Sequence, residues 1–233
     1  MDSMMLRNEI KSRYEKVLNV VKECAKKTNR NFEEIKIVAV TKAHPVSVIR
    51  EAWNAGLRVF GENYAQELRD KVKELKEYDI KWHYIGRIQT NKLKYIVPVS
   101  EIIHSVYREE ELVEINKISK KIGKVQSVLI EVNVSAEETK SGVRPEDVES
   151  LLEFSKMLEN VRIIGLMTIA PFIEPEKTRD YFRTLRELRD RLSLRYPTVK
   201  ELSMGMSNDY WVAVEEGSTI LRIGTAIFGE RRK

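Results

Sequence analysis

Eight short apolar runs alternate with longer amphipathic stretches along this 233-residue chain, and no hairpin dipeptide joins any two of the runs. They are Ile35–Val40, Leu57–Phe60, Lys81–Ile85, Glu101–His104, Val125–Val134, Val161–Met167, Val199–Ser203 and Thr219–Ile223. Strands without tight turns between them return through crossovers, and a crossover makes neighbours parallel. Eight parallel strands in a chain of this length predict an α/β fold, the (β/α)8 TIM barrel, with an open doubly wound sheet as the alternative. Helical spacing fills the gaps, clearest at Val148, Leu151, Leu152, Ser155 and Leu158 and at Tyr181, Leu185, Leu188 and Leu192. Pro145 before Glu146 and Asp147 marks a helix start. No Pro-, Gly- or Ser-rich linker divides the chain, so 1–233 is expected to form one domain.

Ahead of the first strand, Leu6, Ile10, Tyr14, Val17, Val21 and Cys24 recur at steps of three and four. Only Thr225 to Lys233 follow the last strand, too few for a full outer helix, so the extra N-terminal helix is expected to cover that gap. Cys24 lies on the apolar stripe and reads as a core residue. As the only cysteine, it excludes an internal disulfide framework and a multi-cysteine metal site. The 41 basic and 36 acidic residues nearly balance, giving a net charge of +5 and no implication of nucleic-acid binding. No run reaches the ~20 apolar residues of a membrane span. The first residues lack the apolar core of a secretory signal, so a soluble, cytoplasmic protein is expected.

Barrel chemistry sits at the C-terminal ends of strands. Val38, Val40 and Lys42 share a face, so valines inside the barrel would place Lys42 at its rim. An amine desolvated there gains nucleophilic character; the alternative is a lysine reaching out to solvent. On the last strand Ile220 and Arg222 face inward, and closure would bring Arg222 beside Lys42. A buried arginine needs an anion or acceptor, and a structural pair with Glu131 is the competing explanation. Ser207 reads as the N-cap of a helix over Asn208–Glu216 with Gly217 as its stop. With Gly224 and Thr225 it lies in the two loops that usually bind phosphate in this fold; ordinary capping is the plain alternative. Asn63 and Gln66 suggest a capping-box-like start. The Arg179–Arg195 helix is expected to present a solvated charged face. His44, His83 and His104 lack metal-ligand spacing, so no metal site is expected.

Val40-Thr41-Lys42, Phe60-Gly61-Glu62-Asn63-Tyr64, Trp82-His83-Tyr84-Ile85-Gly86, Gln89-Thr90-Asn91-Lys92, Gly165-Leu166-Met167, Ser203-Met204-Gly205-Met206-Ser207 and Arg222-Ile223-Gly224-Thr225 occur in this order over nearly the whole chain. Together they closely resemble the pyridoxal phosphate homeostasis protein family, also labelled proline synthetase co-transcribed homologues. The resemblance implies a fold-type III, alanine-racemase-type barrel that binds pyridoxal 5′-phosphate without that enzyme's second domain. It assigns Lys42 to the Schiff base, Arg222 to the pyridine nitrogen, and Ser207, Gly224 and Thr225 to the phosphate. Ser203, Asn63 and Met167 would line the pocket. Arg87 stands at a rim position that is often apolar or small in the family.

An arginine can only donate to the ring nitrogen, which predicts a weak electron sink, and a racemase would also require a base on the opposite face. The expectation is therefore a monomeric protein that stores, buffers or delivers the cofactor, with apoenzymes that use it as partners. A pyridoxal-phosphate-dependent racemase or lyase using the same lysine is one alternative. A sugar-phosphate barrel enzyme without this cofactor is another.

Overall fold

Strand β1 (Lys36–Val40) pairs in parallel both with β2 (Val59–Glu62) and with β8 (Ile220–Ile223), which closes the sheet on itself. Between them β3 (Lys81–Tyr84), β4 (Ser100–Val106), β5 (Gln126–Glu131), β6 (Val161–Met167) and β7 (Glu201–Ser203) follow in chain order. The result is the eight-stranded closed barrel expected from the crossover argument, and the open sheet is excluded. These relationships come from a computed structural model that describes residues 3–137 and 140–230.

The helices are α1 (Ser3–Lys27), α2 (Val46–Asn54), α3 (Ala65–Glu74), α4 (Leu93–Ile96), α5 (Glu109–Lys121), α6 (Val148–Ser155), α7 (Arg179–Ser193), α8 (Tyr210–Glu215) and α9 (Thr225–Phe228). The long α1 packs against α2, α8 and α9, covering the side of the ring that short α9 leaves open. Its stripe of Ile10, Val17, Val21 and Cys24 is buried, and burial pushes the Cys24 thiol pKa up. None of the described helices is long and apolar enough to cross a membrane.

Two apolar cores follow from the period of two along each strand. Phe60, Ala39, Leu202, Leu221 and Ile223 face outward into the large core under the helices. Val38, Ile102, Leu129, Met167 and Ile220 fill the barrel itself. Each such side chain contributes about 1.5–3 kcal/mol by leaving water, so the parity of β1 and β8 is strongly fixed. That parity turns Arg222 inward, next to Val38 across the β1–β8 ladder.

The charged face of α7 departs from expectation. Arg179, Arg183 and Arg186 converge on Glu216, whose side chain is buried, so this face holds α8 rather than pointing only to water.

Candidate functional site

Lys42 lies two residues beyond β1, in a turn whose next residue, Ala43, has φ +60°. A left-handed alanine is strained unless its surroundings hold it, and here they do. The Ala43 N–H donates to Glu67 Oε1 at 2.8 Å, and the Thr41 carbonyl accepts from Lys71 Nζ at 2.8 Å. Lys71 also donates to Glu62 Oε1 and to Glu67 Oε1, both at 2.7 Å, while the Thr41 hydroxyl donates to Glu62 Oε1 at 2.5 Å. Both flanks of Lys42 are thereby tied to β2 and α3. Lys42 itself is half-buried rather than desolvated, and its amine has no hydrogen bond or ion pair among the described residues.

Arg222 is buried inside the barrel. Its Nη1 donates to Ser203 Oγ at 2.6 Å and its Nη2 to the Thr168 carbonyl at 2.8 Å. The guanidinium thus leans toward β6 and β7. Glu131 is not its ion-pair partner: that carboxylate accepts from the Ser141 hydroxyl at 2.7 Å instead. Burial lowers Arg222 to about 10, against the pull of Asp209 and Glu131. It therefore stays cationic at neutral pH, although less extremely than an exposed arginine.

Behind Ser203 the interior continues in polar side chains. Ser203 Oγ meets His104 Nδ1 at 2.8 Å, and His104 Nε2 meets His83 Nδ1 at 2.9 Å. Burial lowers His83 to about 3 and holds His104 well below the usual imidazole range, so both rings are neutral. Sequence spacing gives no sign of this contact; parallel pairing of β3 with β4 brings the two histidines together. No group of three or more His, Cys, Asp or Glu among the described residues is arranged to hold a metal.

The two predicted phosphate loops meet, but not through the predicted cap. Ser207 Oγ accepts from the backbone N–H of Gly224 at 3.3 Å and of Ala226 at 3.1 Å. The neighbouring helix α8 starts only at Tyr210, and Asp209 folds back to accept from the Met206 N–H at 2.7 Å. Ser207 is therefore a bridge between the loops after β7 and β8, not the N-cap of an Asn208–Glu216 helix. The turn directly after β7 needs Gly205: its φ is +94°, and a Cβ there would stand 2.5 Å from that of Ala213. Gly217, at φ +97°, ends α8 as expected. Thr225 is exposed at the same rim.

Met167 ends β6 inside the barrel, opposite Ser203 in the β6–β7 ladder. Asn63 is half-buried, with its Oδ1 enclosed and unpartnered among the described residues, and it does not cap α3; Tyr64 holds the N-cap position without a side-chain bond. The Asn63 carbonyl accepts from the Tyr84 hydroxyl at 3.1 Å, and the Arg87 carbonyl accepts from it at 3.0 Å. The Arg87 side chain is exposed. The structure thus brings Lys42, Arg222, Ser203, Met167, Ser207, Gly224 and Thr225 to one end of the barrel, with Asn63 on the adjacent β2 loop. Sequence reading missed the Lys71–Glu62–Glu67 clamp, whose one visible signal is the i,i+4 spacing of Glu67 and Lys71 on α3.

A family model described as the alanine racemase N-terminal domain matches residues 17–232. A relative from Aquifex aeolicus named pyridoxal phosphate homeostasis protein is 49% identical over 222 residues, covering 94% of this chain and 97% of its own length. The structure of PipY from Synechococcus elongatus PCC7942 with PLP bound superposes with a TM-score of 0.79 at 33% identity, covering 90% of this chain and 100% of that one. An alanine racemase from Clostridium difficile 630 shares the fold alone, at TM-score 0.72 and 18% identity, with 97% of this chain and 57% of that chain covered. The chain belongs to the alanine racemase N-terminal domain family and, within it, to the pyridoxal phosphate homeostasis proteins.

Proposed function

We propose that this chain binds pyridoxal 5′-phosphate at the barrel mouth and serves its homeostasis by storing, buffering or delivering it, with little or no conversion of amino acids. The observation that carries this reading is the donor set at one rim: a lysine amine without a partner among the described residues, a buried guanidinium, and a hydroxyl set among backbone N–H groups. These match, in turn, an aldehyde, a ring nitrogen and a phosphate, so the residues present fit the group. When bound, the cofactor supplies an aldehyde and an aromatic ring able to accept electrons.

Lys42 supplies the amine for the aldehyde, and the clamp on Thr41 and Ala43 fixes where that amine stands. Arg222 presents N–H groups and has no acceptor atom. It cannot hold a ring nitrogen protonated as a carboxylate would, which keeps the electron sink weak. Ser207, with the Gly224 and Ala226 N–H groups, receives the phosphate, and Thr225 adds a hydroxyl. Asn63, Ser203 and Met167 shape the walls. Racemisation would need a base facing Lys42 across the ring. Tyr84 is a poor candidate, because its hydroxyl is committed to two carbonyls and burial pushes it up to about 12. Tyr64 is 60% exposed. Both facts favour a binder over a racemase or lyase.

We further propose that the protein acts in the cytoplasm as one barrel domain and a monomer, with cofactor-requiring apoenzymes as recipients. Borohydride reduction of the cofactor-loaded protein, followed by peptide mapping, is expected to find the pyridoxyl group on Lys42. An adduct confined to another lysine overturns the site. Prolonged incubation with single L-amino acids is expected to leave them unchanged; D-isomers or decarboxylated products would overturn the non-catalytic reading.

A further inference from the structure

The four side chains Arg222, Ser203, His104 and His83 form one buried line of hydrogen bonds of 2.6, 2.8 and 2.9 Å through the barrel interior. The direction of every hydrogen in it follows from donor chemistry. A guanidinium only donates, so Ser203 Oγ is an acceptor toward Arg222. Ser203 has one hydrogen, and its oxygen has no third partner among the described residues. Donating that hydrogen to His104 Nδ1 places the His104 proton on Nε2. His104 Nε2–H then donates to His83 Nδ1, which leaves the His83 proton on its own Nε2. The reverse order would strand the serine hydrogen as well as a bare nitrogen, and would aim two N–H dipoles at a buried cation. The forward order strands only His83 Nε2–H, and that nitrogen is indeed buried without a partner among the described residues.

We propose that His104 and His83 are positioning residues for Arg222: a neutral relay, polarised away from the cation, that fixes the guanidinium for a ring nitrogen at the barrel mouth. This role rests on the cofactor reading above. Ser203 holds Nη1 and the Thr168 carbonyl holds Nη2, so the cation is oriented before a ligand arrives. An anion behind Arg222 would orient it too, but would cancel its charge; two neutral imidazoles do not. Stability alone does not account for the pair. Both rings are wholly buried in a barrel whose other filling includes the apolar Val38, Ile102 and Leu129, and burying an imidazole N–H without an acceptor is unfavourable where an apolar pair would not be.

The test uses the full chain labelled with nitrogen-15 in its three histidines. Imidazole spectra of the unloaded protein are expected to show His83 and His104 both protonated at Nε2. Neither should titrate between about pH 5 and pH 8, where a free imidazole does. In Ser203→Ala, His104 loses its donor and its spectrum should shift to mixed tautomers. Loaded with pyridoxal 5′-phosphate, His104→Phe should release it on the order of tenfold faster and shift its visible absorption band, while borohydride still fixes the group on Lys42. His104→Gln, which both accepts and donates, should restore most of the wild-type release rate. The proposal falls if His104 carries its proton on Nδ1, if either ring titrates normally, or if His104→Phe matches wild type in release and spectrum. Should His104→Phe not fold, the spectra of wild type and Ser203→Ala decide. Loss of the Lys42 adduct in wild type would overturn the cofactor site instead, while the tautomers report the relay independently.

Discussion

Replacing Lys71 by methionine tests whether the clamp around Lys42 is held by charge. The Lys71 side chain is 5% exposed and that of Glu62 is wholly buried. Methionine keeps the stem but removes all three donated hydrogen bonds, to Thr41, Glu62 and Glu67. Among the described residues, the Glu62 carboxylate then retains only the Thr41 hydroxyl, because its other oxygen already has no partner there. Breaking a buried pair from one side costs about 3–5 kcal/mol, which for a chain of this size lowers Tm by roughly 10 °C. The sign with pH is specific. Burial outweighs Lys71 and Thr41 and holds the Glu62 pKa above the ordinary carboxylate range, and losing Lys71 raises it further. A raised folded-state pKa gives stability that is present when the group is protonated and lost as pH rises through it. The deficit of Lys71→Met relative to wild type should therefore be largest near pH 8 and shrink toward pH 5, read by circular dichroism on heating. Adding Glu62→Gln removes the stranded charge and should recover most of the loss. A variant as stable as wild type, or a deficit that does not change with pH, refutes the reasoning. The same variant should show a lower yield of the borohydride adduct at Lys42, since both flanks of that residue are loosened.

Two further outcomes can be measured. The double variant Ser207→Ala/Thr225→Ala is expected to weaken pyridoxal 5′-phosphate retention by on the order of tenfold or more, and equal retention in dialysis would remove the phosphate assignment. For His83, burial lowers the folded-state pKa from 6.5 to about 3, so the unfolded chain takes up a proton over that interval while the folded one does not. Its contribution is present above pH 6.5 and is lost as pH falls toward 3, by up to about 1.4 kcal/mol per pH unit. Urea midpoints of wild type should therefore fall more steeply over this window than those of His83→Phe; parallel curves would contradict a buried neutral imidazole.

Strand number, parallel pairing and the inward parity of Val38, Ile220 and Arg222 were legible in the chain because each depends on local spacing: a period of two and the absence of tight turns. For the same reason Lys42 could be placed beyond the end of its strand, and the two glycine-containing turns after β7 and β8 could be located. What each polar group bonds to was not legible, because that is a matter of distances across the barrel. A serine just before a helix looks locally like a cap, yet the Ser207 hydroxyl takes the Gly224 and Ala226 N–H groups that closure delivers. Glu131 looked like a partner for Arg222 by charge, but Ser141 reaches the carboxylate while Ser203 and Thr168 reach the guanidinium. His83 and His104, 21 residues apart, become hydrogen-bonded neighbours only through the β3–β4 ladder. Periodicity fixes which way a side chain leaves the backbone. Only the closed tertiary structure determines what stands there to meet it, since hydrogen bonds act over a few ångströms and sequence separation carries no such scale.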